Sequence, residues 1–79
     1  MFEPKTKTVR RWLLVGYNFR VDCRTKSNAV RWGRMARMAG KDLRLIEEYD
    51  MFDRERHIDH QEFDRTVLIL PSLATEHNN

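Results

Sequence analysis

The sequence predicts an α+β fold in the order β-α-β-β: a three- or four-stranded antiparallel sheet with one amphipathic helix packed on one face. Three observations predict it. From Val9 to Cys23 the side chains alternate with the period of a half-buried strand. Ser27–Gly40, SNAVRWGRMARMAG, carries apolar residues at helical spacing between suitable caps. Leu43–Phe52 and Phe63–Leu70 are two further strand-like runs, separated by a polar stretch.

Met1–Lys7 is polar, contains Pro4 and reads as a loose end. In the first strand segment the odd positions are Val9, Arg11, Leu13, Val15, Tyr17, Phe19, Val21 and Cys23, an apolar row broken only by Arg11. This row is expected to face the core. The even positions, including Arg10, Trp12, Leu14, Asn18 and Arg20, are expected on the opposite sheet face. One long strand bent at Gly16 is the favoured form; a hairpin turning at Gly16-Tyr17-Asn18 is the alternative and would add a fourth strand.

On the helix, Trp32, Met35, Ala36 and Ala39 group as the face expected to be buried. Ala29, Gly33, Ala36 and Gly40 form a row of small residues along its edge, and Arg31, Arg34, Arg37 and Lys41 line the opposite side. Thr25 or Ser27 suits the N-cap, and Gly40 suits the C-terminal stop. A glycine inside a helix costs about 1 kcal/mol relative to alanine. Close approach of another group at Gly33 would offset that, and simple toleration by tertiary packing is the alternative. In the strand after the helix Leu43, Leu45, Tyr49 and Met51 share a phase that Glu47 interrupts. Asp53–Gln61, DRERHIDHQ, reads as an exposed hairpin loop, with a short helix starting near Asp59 and Glu62 as the alternative. Phe63–Leu70 reads as a strand because of TVLIL, and Pro71 stops it. Ser72–Asn79 is a polar tail.

At 79 residues, 41% hydrophobic and 34% charged, the chain is one small domain spanning 1–79, with 1–7 and 72–79 as loose termini. The single cysteine, Cys23, excludes an intrachain disulfide. No apolar leader or membrane-length run is present, so a cytoplasmic location and no membrane partner are expected. Net charge is +3, unevenly distributed. Residues 1–45 hold twelve lysines and arginines against three carboxylates, and residues 46–79 hold three against nine. Antiparallel strands drawn from the two halves would set arginines opposite carboxylates, so internal pairing is expected for the strand charges. The helix stripe is explained least well by such pairing.

The candidate binding residues are therefore Arg31, Arg34, Arg37 and Lys41, with Arg20 and Trp12 from the sheet face left open by the helix. Arginine forks match phosphate oxygens and carboxylates alike. A solvated face in an arginine-rich chain, with 11 Arg against 4 Lys, is the plain alternative. Gly16–Phe19, GYNF, superficially resembles the aromatic strand of an RNA recognition motif. The positions that motif buries are here Asn18, Arg20 and Asp22, and the segment precedes the helix, so that family is excluded. Tyr17 and Phe19 are expected in the core.

His57 and His60, with Asp53, Glu55 and Asp59 nearby, lack the spacing of a recognised zinc motif, and plain surface histidines are expected. Cys23 reads as a core residue rather than a nucleophile. Glu47 and Glu48 are adjacent on a strand and point to opposite faces, which removes them as an acid–base pair. No enzyme, cofactor or metal site is expected.

Two functions remain. One is a small protein-binding regulator or inhibitor docking on an acidic protein surface through the arginine-lined helix; in size and style the chain resembles phage-encoded host-takeover and anti-defence proteins. The alternative is a basic nucleic-acid-binding module gripping phosphate with the same helix. The eight carboxylates between Glu47 and Asp64 favour the first. A two-fold homodimer is expected from the small core and the part-apolar open sheet face.

Overall fold

The computed structural model describes residues 5–70. The first segment is a hairpin: β1 (Thr6–Val15) turns through Gly16–Phe19 into β2 (Arg20–Asp22). Helix α1 (Lys26–Met38) follows, then a second hairpin of β3 (Arg44–Asp53) and β4 (Arg56–Asp64), then a 3₁₀ turn, Thr66–Ile69. All neighbouring strands are antiparallel, in the order β2-β1-β3-β4. The fold is thus α+β, a four-stranded antiparallel sheet with one helix on one face. Among the described residues no helix is long and apolar enough to cross a membrane.

The single long strand is corrected to the hairpin because Gly16 N–H closes the turn by donating to Phe19 C=O at 3.0 Å, while the Phe19 ring lies over Gly16. A side chain at position 16 would occupy the space of that ring. Tyr17 is fully exposed at the turn and Phe19 is partly exposed, so neither enters the core. Thr6 and Lys7, expected in a loose end, belong to β1, opposite Asp53 and Phe52. Residues 1–4 and the polar tail lie outside the described residues.

The face assignment of β1 is reversed. Trp12 and Leu14, from the even row, join Cys23, Ala29, Leu43, Leu45 and Ile69 in the core beneath the helix. Leu13 pairs with Ile46 on the other face, where both are buried without a helix above them. The helix is rotated to match. Its buried residues are Ala29 and Gly33, with Ala36 partly buried, whereas Trp32 is 42% exposed, Met35 62% and Met38 82%. The reason lies in the 3₁₀ turn. Ile69 projects against Gly33, where a Cβ would stand 2.7 Å from Ile69 Cγ2 and 3.1 Å from Leu14 Cδ2. The bulk that fills the core thus comes from Ile69 and Trp12, and only the small-residue row lets the helix approach.

TVLIL is therefore a lid rather than a strand. Arg65 N–H donates to Leu45 C=O at 2.7 Å, and Leu45 N–H donates to Thr66 Oγ1 at 3.1 Å. These bonds satisfy the β3 backbone where β4 has ended and turn the chain over onto the helix side. The fourth strand lies earlier in the sequence, in the stretch expected as a loop. It forms because residues 54 and 55 make a tight turn, with Arg54 at φ 61, and because β4 pairs along β3 from Arg56 to Asp64.

The helix caps are as expected. Thr25 Oγ1 accepts from Asn28 N–H at 3.1 Å, and Gly40 takes φ 89 beyond the last turn.

Candidate functional site

Two surfaces carry chemistry, one on the outer side of α1 and one on the open face of the sheet. The rotation of α1 points Arg31, Met35 and Met38 away from the sheet, with Trp32 on one flank and Arg34 on the other. Lys26, Ser27, Val30, Arg31, Arg34 and Met35 line a shallow groove along this side. Lys26–Met38 contains no acidic residue, so nothing on the helix neutralises its cations.

The arginine stripe divides. Arg31 has no side-chain hydrogen bond or ion pair among the described residues. Arg34 Nε donates to Leu68 C=O at 3.0 Å, which ties the helix to the lid and leaves the rest of its guanidinium outward. Arg37 turns inward, donating to Leu43 C=O at 2.6 Å with Asp42 at 3.7 Å, and so serves the helix C-terminus and its following loop. Lys41 is exposed beyond the helix. Of the two candidates expected on the sheet face left open by the helix, Arg20 is there and Trp12 is not. Trp12 is buried, with Arg10 over its ring at 5.0 Å and Lys26 at 5.8 Å. Arg20 lies on the opposite face of the sheet, 2.6 Å from Glu48. The members that were missed are Met35 and Trp32, expected in the core, and Met38, whose signal was its helical spacing from Arg31 and Met35.

Beside the helix, Glu47 is buried at 2% exposure on the same sheet face as Trp12. Its Oε2 accepts from Arg10 Nε at 2.7 Å and Tyr49 O–H at 2.5 Å, and its Oε1 accepts from Arg65 Nε at 2.9 Å. Burial pushes its pKa up, but these bonds from Tyr49, Arg65 and Arg10 outweigh burial and hold it at about 2. The interruption in the β3 pattern is thus a saturated ion cluster that joins β1, β3 and the start of the lid.

The open face carries the other charges. Glu48 lies opposite Arg11 in the ladder and also binds Arg20; Arg11 Nη1 reaches Asp50 Oδ2 at 2.9 Å. The pairing of the basic half with the acidic half is therefore internal here, as expected. On this face His57 Nε2 and His60 Nδ1 both lie against Asp50 Oδ1, at 2.8 and 2.7 Å, and His60 Nε2 lies 2.9 Å from Glu62 Oε2. Hydrogen bonds to Asp50 and Glu62 raise the His60 pKa to about 9. The carboxylates that reach the imidazoles among the described residues are Asp50 and Glu62, with Glu48 3.9 Å from His60 Nε2, and not the sequence neighbours Asp53, Glu55 and Asp59. Only the register of β3 on β4 brings them together. Cys23 is fully buried, and burial raises its thiol pKa, which disfavours the nucleophilic thiolate.

No protein-family model, curated protein or solved structure matches the chain.

Proposed function

We propose that the chain is a small non-enzymatic binding protein, a regulator or inhibitor, that docks an acidic and partly apolar protein segment on the outer side of α1. The observation that carries this reading is the exposure of Met35, Met38 and Trp32 beside Arg31 and Arg34, on a helix without a single carboxylate. Flexible methionines suit an adaptable apolar contact. Arginine forks suit carboxylates, and charge complementarity sets both encounter and register. A phosphate backbone would use the arginines and leave the methionines without a role, which is why a protein surface is preferred over nucleic acid.

The test is a displayed-peptide selection on the wild-type protein, counter-selected on the Met35→Ser/Met38→Ser variant. Peptides rich in Asp and Glu with interspersed Leu, Ile or Phe are expected. Arg31→Glu/Arg34→Glu should weaken the selected peptides at least tenfold with the circular dichroism spectrum unchanged, while Arg37 is left in place because it holds the loop after the helix. Labelled mixed-sequence DNA and RNA form the second arm. Retention near physiological ionic strength that falls steeply with salt, equally for the wild type and the methionine variant, would overturn the protein reading in favour of phosphate binding. Absence of any peptide that discriminates the two proteins would also overturn it.

A further inference from the structure

We propose that Asp50, His57 and His60 form a binding site for one divalent transition-metal ion of the Zn²⁺ class on the open face of the sheet. The site depends on an irregularity in the β3–β4 ladder. Asp50 lies opposite His60, Met51 opposite Asp59 and Phe52 opposite His57, so that Ile58 has no partner across the ladder. On a regular strand two residues three apart point to opposite faces. The extra residue at position 58 reverses this and turns both imidazoles to the Asp50 side, the re-aiming that bulges provide beside binding sites.

The geometry then converges on one point. The nearest nitrogens of the two histidines both lie within 2.8 Å of Asp50 Oδ1. The three ligand atoms, one from each residue, lie within 4.8 Å of one another. A cation with bonds of about 2.0–2.2 Å to nitrogen and oxygen fits among ligand atoms at such separations after small rotations of the two rings. An ion pair alone requires one imidazole against the carboxylate; here two different ring nitrogens, Nε2 and Nδ1, aim at the same oxygen.

The surroundings resemble the outer support of a metal site. Glu62 Oε2, 2.9 Å from His60 Nε2, would fix the ring and its tautomer in a carboxylate–histidine–metal arrangement. Arg11 holds the other Asp50 oxygen at 2.9 Å. Around the site Glu48, Asp50 and Glu62 face Arg11 and Arg20, so with neutral imidazoles the acidic groups outnumber the guanidinia. The two imidazoles select Zn²⁺, Co²⁺, Ni²⁺ or Cu²⁺ over Mg²⁺ and Ca²⁺. His57 is half exposed, which leaves the fourth position of a tetrahedral ion to water.

The test uses the full chain, treated with chelator and held at about pH 8.5, where Zn²⁺ displaces the protons that remain on the imidazoles. Zn²⁺ is titrated calorimetrically, and Co²⁺ is followed by its visible absorption. One ion per chain is expected, with long-range ¹H–¹⁵N spectra showing His57 bound through Nε2 and His60 through Nδ1. His57→Gln and His60→Gln should each weaken Zn²⁺ at least tenfold, and the double variant should abolish the Co²⁺ spectrum. Glu62→Gln should weaken binding about tenfold through ring orientation alone. His77→Gln, which replaces the third histidine of the chain, should leave affinity unchanged. Circular dichroism of each variant separates lost ligands from lost fold, and Glu62→Gln carries the test should a histidine variant unfold. Failure to saturate at one ion per chain, or equal affinity in the double variant, would overturn the proposal and leave a histidine–carboxylate ion network; ligation of His60 through Nε2 would overturn it in favour of a site at Glu48, His60 and Glu62.

Discussion

Gly33→Ala should destabilise the protein, although alanine is the better helix former. By propensity alone the substitution stabilises a helix by about 1 kcal/mol. Here the added methyl would stand 2.7 Å from Ile69 Cγ2 and 3.1 Å from both Ile69 Cδ1 and Leu14 Cδ2. Ile69 is branched at Cβ and pinned in the lid, so its Cγ2 cannot swing aside without moving the 3₁₀ turn. Overpacking of this kind costs about 1–3 kcal/mol, which leaves a net loss of roughly 1 kcal/mol. The same substitution in an Ile69→Met background should gain roughly 0.5–1 kcal/mol, because methionine lacks the Cγ2 branch and adapts its shape. Urea unfolding followed by circular dichroism on the four proteins of this cycle measures the sign reversal. An equal effect of Gly33→Ala in both backgrounds would refute the claim that Ile69 is what the glycine accommodates.

Acid should reveal the Glu47 cluster. Its pKa is about 2 in the fold, against an ordinary 4.5, so its contribution is complete above about pH 4.5 and is lost as pH falls toward 2. The shift corresponds to about 3 kcal/mol, reduced to about 2 because Arg10 and Arg65 are half exposed. Melting temperatures measured down this range should fall more steeply for the wild type than for Glu47→Gln; parallel curves would contradict the assignment. Arg54→Gly should raise stability by about 1 kcal/mol in thermal melts, since Arg54 sits at φ 61 and glycine takes that conformation without a Cβ penalty.

The elements that could be read from the sequence are those whose signals are local. Thr25 and Gly40 bound the helix by their own side-chain and backbone chemistry, and period-2 alternation marked β1 and β3. What could not be read depended on which of two alternating rows would be covered. Both rows of β1 contain apolar residues, and the deciding partner, Ile69, lies in a run whose composition favours a strand. TVLIL left the sheet because the Arg65 and Thr66 bonds to Leu45 turned it. The polar β4 was invisible because its apolar content is low and its stability comes from pairing with β3. Of the candidate residues, Arg31 and Arg34 share an outward face as expected. Trp12 went to the core with its row, and Arg20 followed the opposite one. The cluster of Asp50 with His57 and His60 rests on strand register and one unpaired residue, which no spacing in the sequence expresses.

The strand order β2-β1-β3-β4 has a consequence for the route to the native state. The sheet is two local hairpins, joined along one seam, with the helix as their connector. Within each hairpin the partners are near in sequence, and pairing of that kind forms in microseconds. Along the seam Val15 meets Arg44 and Thr6 meets Asp53, at separations far beyond those within either hairpin. Closing that long loop is the entropic barrier to folding, and the core beneath the helix is assembled only when both hairpins are brought together. Residues that bridge the seam, Leu14 against Leu45 and Arg10 with Glu47, are placed to govern the rate of folding, whereas the turn at Arg54 belongs to the rapid local step.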